Sequence, residues 1–387
     1  MIQKTKFSSY KINDIANGCK FCVLGEKSVL FITGLCRRGC YYCPLPSSRK
    51  NLDVVYINER KLSDVDAVDE AIEEIQLCNS EGIGITGGDP LIVLQRVEKF
   101  VKALKKKFGK KFHIHIYLPT QNVSFGRLER LAKSGIDEIR FHPDFLHFDQ
   151  NERKKIDLAL KLKKKYCWKV GVEIPVIPKT EKKLVDFIQQ IQDIDFLNLN
   201  EFEIGTLNTE LMLGKGFDII KGSNAIRGSN ETAMKVLSSI KKTNLKIHYC
   251  TARTKDAFQY VNRLKKRLKN VKKPLDIITE TNDLLRGAIY FSIRPGFDYQ
   301  KRLDALKKNK KMFRDYVNSL HLFANYLLKQ YDLPENLIEL DKERLRILTS
   351  LEIVSNLKDE IKKKGFKPAI VEEIPAYDMP ILRLEWL

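Results

Sequence analysis

Long apolar runs are the first thing missing from this chain of 387 residues. No stretch approaches the ~20 consecutive apolar residues that a membrane-spanning helix needs. The N-terminal MIQKTKFSSYKIND has no apolar signal core, so the expected location is the cytoplasm, with no membrane partner. Low-complexity tails and repeats of 20–50 residues are also missing, which argues against solenoids and disordered chains. Acidic residues are in short supply. There are 49 Asp+Glu against 69 Lys+Arg, a formal net charge of +20. Such an excess favours a polyanionic partner, nucleic acid first, over the plainer account of general solubility or a lysine-rich proteome.

Hydrophobic residues, at 43%, suffice for a sizeable core, and the length suggests two domains. Cysteine is plentiful: eight are present, and five of them lie between Cys19 and Cys43. In a long chain without an export signal, such a cluster points to metal rather than to disulfides.

Short β-branched runs alternate with helical patterns over the first 250 residues. The strand candidates are SVLFITG (28–34), GIGITG (82–87), FHIHIYLP (112–119), EIRFHP (138–143), KVGVEIPVI (169–177) and FLNLNEFE (196–203). Between the first two, Val65, Val68, Ile72, Ile75 and Asn79 trace one stripe at helical spacing. Strand–helix alternation implies a parallel sheet with right-handed crossovers. Six units are too few for an eight-unit barrel, so the expected fold is α/β, a partial (β/α)6 TIM-like barrel open on one side. LKIHYC (245–250) reads as one further strand, and 206–231 as a Gly/Asn-rich loop. A basic amphipathic helix at 254–270 follows, with Lys255, Arg263, Lys266 and Lys269 expected on its outer side. Beyond it, GAIYFSI reads as a strand, 300–331 and 341–364 as long helices, then KPAIVEEIP and PILRLEWL complete a smaller C-terminal α/β domain. The expected organisation is an N-terminal extension (1–27), the barrel (28–250) and a basic substrate-recognition domain (251–387).

Directly after the first strand comes LFITGLCRRGCYYCPLPSSR, which holds Cys36, Cys40 and Cys43 within eight positions. The C-terminal ends of barrel strands carry active sites. Thiolates are the natural ligands of iron–sulfur clusters, which usually take four. Three leave one iron open, and an open position marks catalysis or substrate binding. The plainer reading is a zinc knuckle. CxxxCxxC with an aromatic, Tyr42, before the third cysteine resembles the signature of the radical S-adenosylmethionine (SAM) enzymes. The resemblance implies a [4Fe–4S] cluster on Cys36, Cys40 and Cys43, with SAM chelating the fourth iron through its amino and carboxylate groups. It further implies reductive cleavage of SAM to a 5′-deoxyadenosyl radical, an electron donor such as ferredoxin or flavodoxin, and hydrogen abstraction from a substrate.

GITGGDP adds support: Gly87-Gly88-Asp89 follows the second strand, where glycines permit close approach to the backbone. It resembles the family's GGE motif, which contacts the SAM amino group, with Asp89 in place of the glutamate. By position, the resemblance places further SAM contacts at Pro119-Thr120-Gln121, at Arg140 or His142, and at Glu173 with Pro175. Glu173 interrupts an apolar strand, which is costly unless the charge is paired or functional. Glu201 and Glu203 have the same access from the sixth strand. Across the chain the pattern looks most like archaeal-type proteins related to pyruvate formate-lyase activating enzymes.

Cys19 and Cys22 form a second CxxC, half of a tetrahedral site. His248 and Cys250 would complete a Cys3His site suited to zinc or to an auxiliary cluster. Cys78 and Cys167 read as small core residues. Three functional readings compete: radical-dependent modification of RNA, with tRNA foremost; activation of a glycyl-radical enzyme or action on another protein or small molecule; and a non-catalytic, metal-bearing RNA-binding protein. The accumulated basic charge leans toward the first, and the intact glycine pair argues against the last.

Overall fold

The computed structural model describes residues 1–387 and divides into two units, Met1–Lys266 and Arg267–Leu387. In the first, strands β1 (Ile2–Lys4) and β2 (Tyr10–Ile12) precede helix α1 (Asn17–Val23), strand β3 (Lys27–Phe31) and the short β4 (Tyr56–Ile57) and β5 (Arg60–Lys61). Helices and strands then alternate through α2 (Val68–Leu77), β6 (Gly82–Thr86), α3 (Leu94–Phe108), β7 (His113–Pro119), α4 (Phe125–Ser134), β8 (Glu138–His142) and α5 (Gln150–Tyr166). They continue through β9 (Lys169–Val176), α6 (Glu181–Gln190), β10 (Phe196–Glu201), α7 (Thr209–Gly214), α8 (Ser229–Ser239) and β11 (Lys246–Cys250). The chain then runs through α9 (Ala252–Thr254), a π-helical turn (Lys255–Tyr260) and α10 (Val261–Val271).

Strands β3, β6, β7, β8, β9, β10 and β11 lie side by side, each parallel to the next. Antiparallel β2–β1 extend one edge and β4–β5 the other, so the sheet stays open as a partial TIM-like barrel. The first 27 residues are therefore no separate extension. β2 pairs with β11, Ile12 opposite Ile247, and completes the sheet.

Strict alternation divides the two faces of this sheet. Ile114, Ile116, Leu118, Ile139, Phe141, Val172, Ile174, Leu197, Leu199 and Ile247 are fully buried in one core with the apolar stripes of the helices. This is the sheet's helix-covered side, and its burial is the main driving force for the unit. The intervening positions carry Tyr117, Glu138, Arg140, Glu173, Asn198 and Asn200, which hydrogen-bond to one another across the other face. The barrel lumen is thus polar, and these six side chains form one connected network.

α1 closes one end of the lumen. Gly18 lies so close to the polar set that an added Cβ would meet Arg140 Nη2 at 2.4 Å, His115 Nδ1 at 2.7 Å and Glu138 Oε1 at 2.8 Å. Its backbone N–H donates to Glu138 Oε2 at 3.2 Å.

The second unit carries β12 (Ile277–Ile278), β13 (Leu284–Tyr290), α11 (Tyr299–Lys308), α12 (Lys310–Gln330), β14 (Ile338–Asp341) and β15 (Arg346–Thr349). It ends with α13 (Leu351–Asn356), α14 (Lys358–Lys363), β16 (Lys367–Glu373) and β17 (Ile381–Trp386). Its sheet is antiparallel throughout. Two expectations fail here. The stretch 300–331 breaks at Asn309, whose side chain caps α12 by accepting from Met312 N. The stretch 341–364 is largely a hairpin strand and two short helices rather than one long helix. Inside this unit, Arg346 is fully buried against Glu373 and Asp341, and Arg286 against Asp276. No helix in the chain is long and apolar enough to cross a membrane.

Candidate active site

The ends of β3 and β6 to β10 open onto a cavity of about 340 Å³. Cys36, Cys40 and Cys43 line it together with Gly87, Gly88, Tyr117, His142, Glu173 and Asn200. The cysteine loop is fastened from several sides. Thr33 donates to Asp53 at 2.8 Å, and Arg96 clamps the same carboxylate at 2.7 and 2.8 Å. The Arg38 guanidinium donates to the His142 carbonyl, and Asn208 Nδ2 donates to the Cys43 carbonyl at 3.2 Å.

Gly87 and Gly88 are glycines because that same loop lies against them. Gly88 N donates to Thr33 O and Asp89 N to Leu35 O, both at 2.7 Å. A Cβ at either glycine would sit 2.3 Å from Thr33 O or Leu35 O respectively, and Gly87 has φ +151°. The close approach anticipated for a ligand is in the first place that of the loop's own backbone, which joins the two motifs into one wall.

His142 links that wall to β9. Its Nδ1–H donates to the Glu173 carbonyl at 2.8 Å, which leaves Nε2 to accept from the Tyr42 hydroxyl at 3.3 Å. Burial lowers its pKa to about 4, so the ring is neutral and the pattern is fixed. Glu173 faces the cavity and accepts from Arg140 Nη1 at 2.7 Å, Asn198 at 2.8 Å and Asn200 at 2.9 Å. Burial pushes its carboxyl up, but Arg140 and the two asparagines pull it below the usual carboxylate range.

Two expected contacts turn away from the cavity. Asp89 is buried, 1% exposed, and caps the turn at Pro90–Val93 by accepting from Leu91 N at 3.0 Å and from Asn122 at 2.5 Å. Its arm, one methylene shorter than glutamate, is held by its own turn. Thr120 is 2% exposed and donates to Glu152 at 2.6 Å, on the helix side; its neighbour Pro119 lines the cavity instead. Sequence reasoning passed over Tyr117, Asn200 and Lys255 as cavity residues. For Tyr117 and Asn200 the signal was the alternation in HIHIYLP and LNLNE, which puts them on the same face as Glu173.

The residues of the expected second metal site lie apart from the cavity. Cys19 accepts from Asn198 at 3.2 Å and Arg140 at 3.5 Å, Cys250 accepts from Gln259 at 3.5 Å, and neither ring nitrogen of His248 has a protein partner. None of Cys19, Cys22, His248 or Cys250 lines the cavity. The basic helix is corrected too. Lys255 turns into the cavity against Glu203, Arg263 is buried against Glu59 and Lys266 reaches Glu26. Of the four cations expected on its outer side, only Lys269 is fully exposed.

The donor set fits an iron–sulfur cluster. The three thiols are free and share one wall, and thiolates are the ligands that such clusters take. Burial raises the pKa of Cys36 and Cys40, with Arg38 only partly offsetting it, so ligation would have to displace the thiol protons.

The family model of the radical SAM superfamily matches residues 30–191. A protein of Methanocaldococcus jannaschii, provisionally named a glycyl-radical enzyme activating enzyme, is 40% identical over 353 residues, 89% of this chain and 90% of its own. Solved structures are more distant. SuiB of Streptococcus suis bound to S-adenosylmethionine is 14% identical with a TM-score of 0.40, over 58% of this chain and 50% of that one. The methyltransferase TsrM of Kitasatospora setae, with tryptophan and a SAM analogue, is 8% identical with a TM-score of 0.37, over 66% and 54%. The chain spans about half the length of these two. With the cysteine trio and the glycine pair forming one wall at the strand ends, and with so close a match along nearly its whole length, the chain belongs to the radical SAM superfamily.

Proposed function

We propose that this radical SAM enzyme takes a hydrogen atom from a glycine residue of a partner protein, in the manner of a glycyl-radical enzyme activase. Cys36, Cys40 and Cys43 would hold a [4Fe–4S] cluster with SAM beside it, which, given one electron from a cytoplasmic donor such as ferredoxin or flavodoxin, would supply a 5′-deoxyadenosyl radical able to take the hydrogen from the substrate Cα. The chain's own groups arrange this. Gly87 and Gly88 keep the wall flat beside the thiols, and His142 steadies Tyr42 and the loop. Glu173, held ionised by Arg140, offers its carboxylate to the hydroxyls of a nucleoside.

The observation that carries the choice of substrate is the charge at the far end of the cavity. There Glu201 and Glu203 face Lys255, two carboxylates to one ammonium. Such an end repels phosphate and suits a neutral peptide, and the relative's name points the same way. Modification of RNA, tRNA foremost, is the second reading, favoured by the net charge of +20. Zinc or an auxiliary cluster has no further support.

The test is anaerobic reconstitution with dithionite, using protein and RNA fractions from cells grown on α-deuterated glycine. Deuterium in 5′-deoxyadenosine from the protein fraction is expected. Stimulation by RNA alone, with binding that weakens steeply with salt, would turn the assignment to RNA. Serine at any of Cys36, Cys40 or Cys43 should abolish both the cluster absorbance and 5′-deoxyadenosine.

A further inference from the structure

Lys255 opens a six-residue π-helical turn, Lys255–Tyr260. Such turns are rare and concentrate at functional sites. The turn is held from below: Thr254 Oγ1 donates to Phe7 O at 2.8 Å, and Thr251 Oγ1 to Ser8 O at 2.9 Å. An α-helical path is thereby interrupted where the Lys255 side chain enters the cavity. Glu203, just beyond the end of β10, meets it at 2.6 Å. Neither group is sealed in. The Lys255 side chain is 30% exposed and that of Glu203 24%.

The pair engages one of three ammonium N–H groups and one of two carboxylate oxygens, Oε2. A donor and an acceptor are therefore left side by side on the cavity wall. Glu201, next along the wall, is 9% exposed and already accepts from Ala252 N at 2.7 Å. Around them the lining is apolar, with Phe202, Pro175 and Leu118. A purely cationic patch would take an anion, and a purely acidic one a cation. A fixed donor and acceptor beside apolar walls match the two ends of a peptide unit.

We propose that Lys255 and Glu203 read the backbone of the substrate peptide: Lys255 Nζ donates to a carbonyl and Glu203 accepts from an amide N–H next to the reacting glycine. This rests on the protein-substrate reading above and adds the groups that orient the substrate. The two are specificity-determining residues. They hold the glycine against the cavity, and neither takes part in bond breaking.

The probe is a capped pentapeptide, acetyl-Ala-Ala-Gly-Ala-Ala-amide, with α-deuterated glycine, and a depsipeptide in which an ester replaces the glycine N–H. Peptide binding to reconstituted enzyme with SAM, without reductant, is read by calorimetry, and deuterium transfer to 5′-deoxyadenosine after reduction. Lys255→Met and Glu203→Gln should each weaken peptide binding about tenfold or more, the worth of a hydrogen bond to a charged group. Lys255→Arg should stay within about threefold. The ester should weaken binding to the unaltered enzyme by a similar factor and have little further effect on Glu203→Gln. Because the ester needs no variant, the result stands even if a substitution disturbs folding. If the unaltered enzyme neither binds the peptide nor transfers deuterium, the protein-substrate reading falls and the pair's role with it. If it does both, but ester and variants all bind within twofold of the parent, the role of the pair is refuted alone.

Discussion

Replacing Arg140 by methionine is the sharpest perturbation of the lumen. The guanidinium is 2% exposed and donates to Glu138 at 2.7 and 2.5 Å and to Glu173 at 2.7 Å. Methionine fills much of the volume but leaves two carboxylates facing each other without their cation. Breaking a buried pair from one side costs about 3–5 kcal/mol, a large share of the roughly 5–15 kcal/mol that holds most domains. For a unit of this size that corresponds to a fall in Tm of roughly 10 °C. The pH dependence is more diagnostic than the size. In the native protein the Glu173 pKa is lowered, so its stabilisation is present above the unfolded carboxylate value and is lost as pH falls through the folded one. Without Arg140, burial is opposed only by Asn198 and Asn200, and the Glu173 pKa should rise. The variant should therefore gain stability as pH falls from about 7 to about 5, where the native protein does not. Adding Glu173→Gln should recover part of the loss. Anaerobic thermal melts monitored by circular dichroism, across pH, read all of this. A variant melting within about 2 °C of the parent, with the same pH slope, would refute the argument that Arg140 holds the lumen charges.

Gly18→Ala puts a methyl among Arg140, His115 and Glu138, so it should destabilise by about 1–3 kcal/mol in the same melts. Gly88→Ala would drive its Cβ toward Leu35 O, and the cysteine loop must shift; reduced iron retention and loss of 5′-deoxyadenosine should follow, in a protein that still folds. Burial lowers the His248 pKa from 6.5 to about 4. The unfolded chain thus takes up the proton first, and stability should fall as pH drops from about 6.5 to about 4, by about 3 kcal/mol in all. His248→Phe should flatten that part of the pH–stability curve, which denaturant titration can follow; an unchanged slope would argue against a buried neutral imidazole.

Much of the first unit was legible because its chemistry is local. Parallel strands covered by helices give apolar runs joined by amphipathic helices, and the cysteine and glycine motifs sit at strand ends where side chains have little choice of direction. The lumen was less visible. Reading polar residues within a strand as its solvent side is the usual rule for a half-buried sheet, yet here the polar face closes on itself and buries Arg140, Glu138 and His248. Glu173 was noticed only because its charge stood out. Asp89 before Pro90 is a local capping signal that was read instead as a ligand contact, whereas the direction of Thr120 is decided by a partner far along the chain, Glu152. In the second unit, β14 turns back to β15 through DKERL, with Leu345 at φ +53°. The one turn signal there is Asp341, which accepts from Arg344 N at 3.0 Å, and the Leu and Ile spacing around it passes for a helix.

The same distinction between a count and a placement bears on what the enzyme acts on. A charge of +20 invites a nucleic-acid partner, but charge recruits such a partner only from the surface. Arg140 and Arg263 in the first unit, and Arg286 and Arg346 in the second, are buried against carboxylates and offer nothing to a phosphate. Each such pair cancels inside the protein and leaves the excess to exposed lysines, spread over helices as on many soluble surfaces. Within the cavity Arg38, Lys50 and Lys255 are matched by Glu173, Glu201 and Glu203, and at the Lys255 end two carboxylates outnumber the ammonium. An RNA base presented at that end would bring its phosphates toward Glu201 and Glu203. A peptide brings only amides, which that wall can satisfy on both sides.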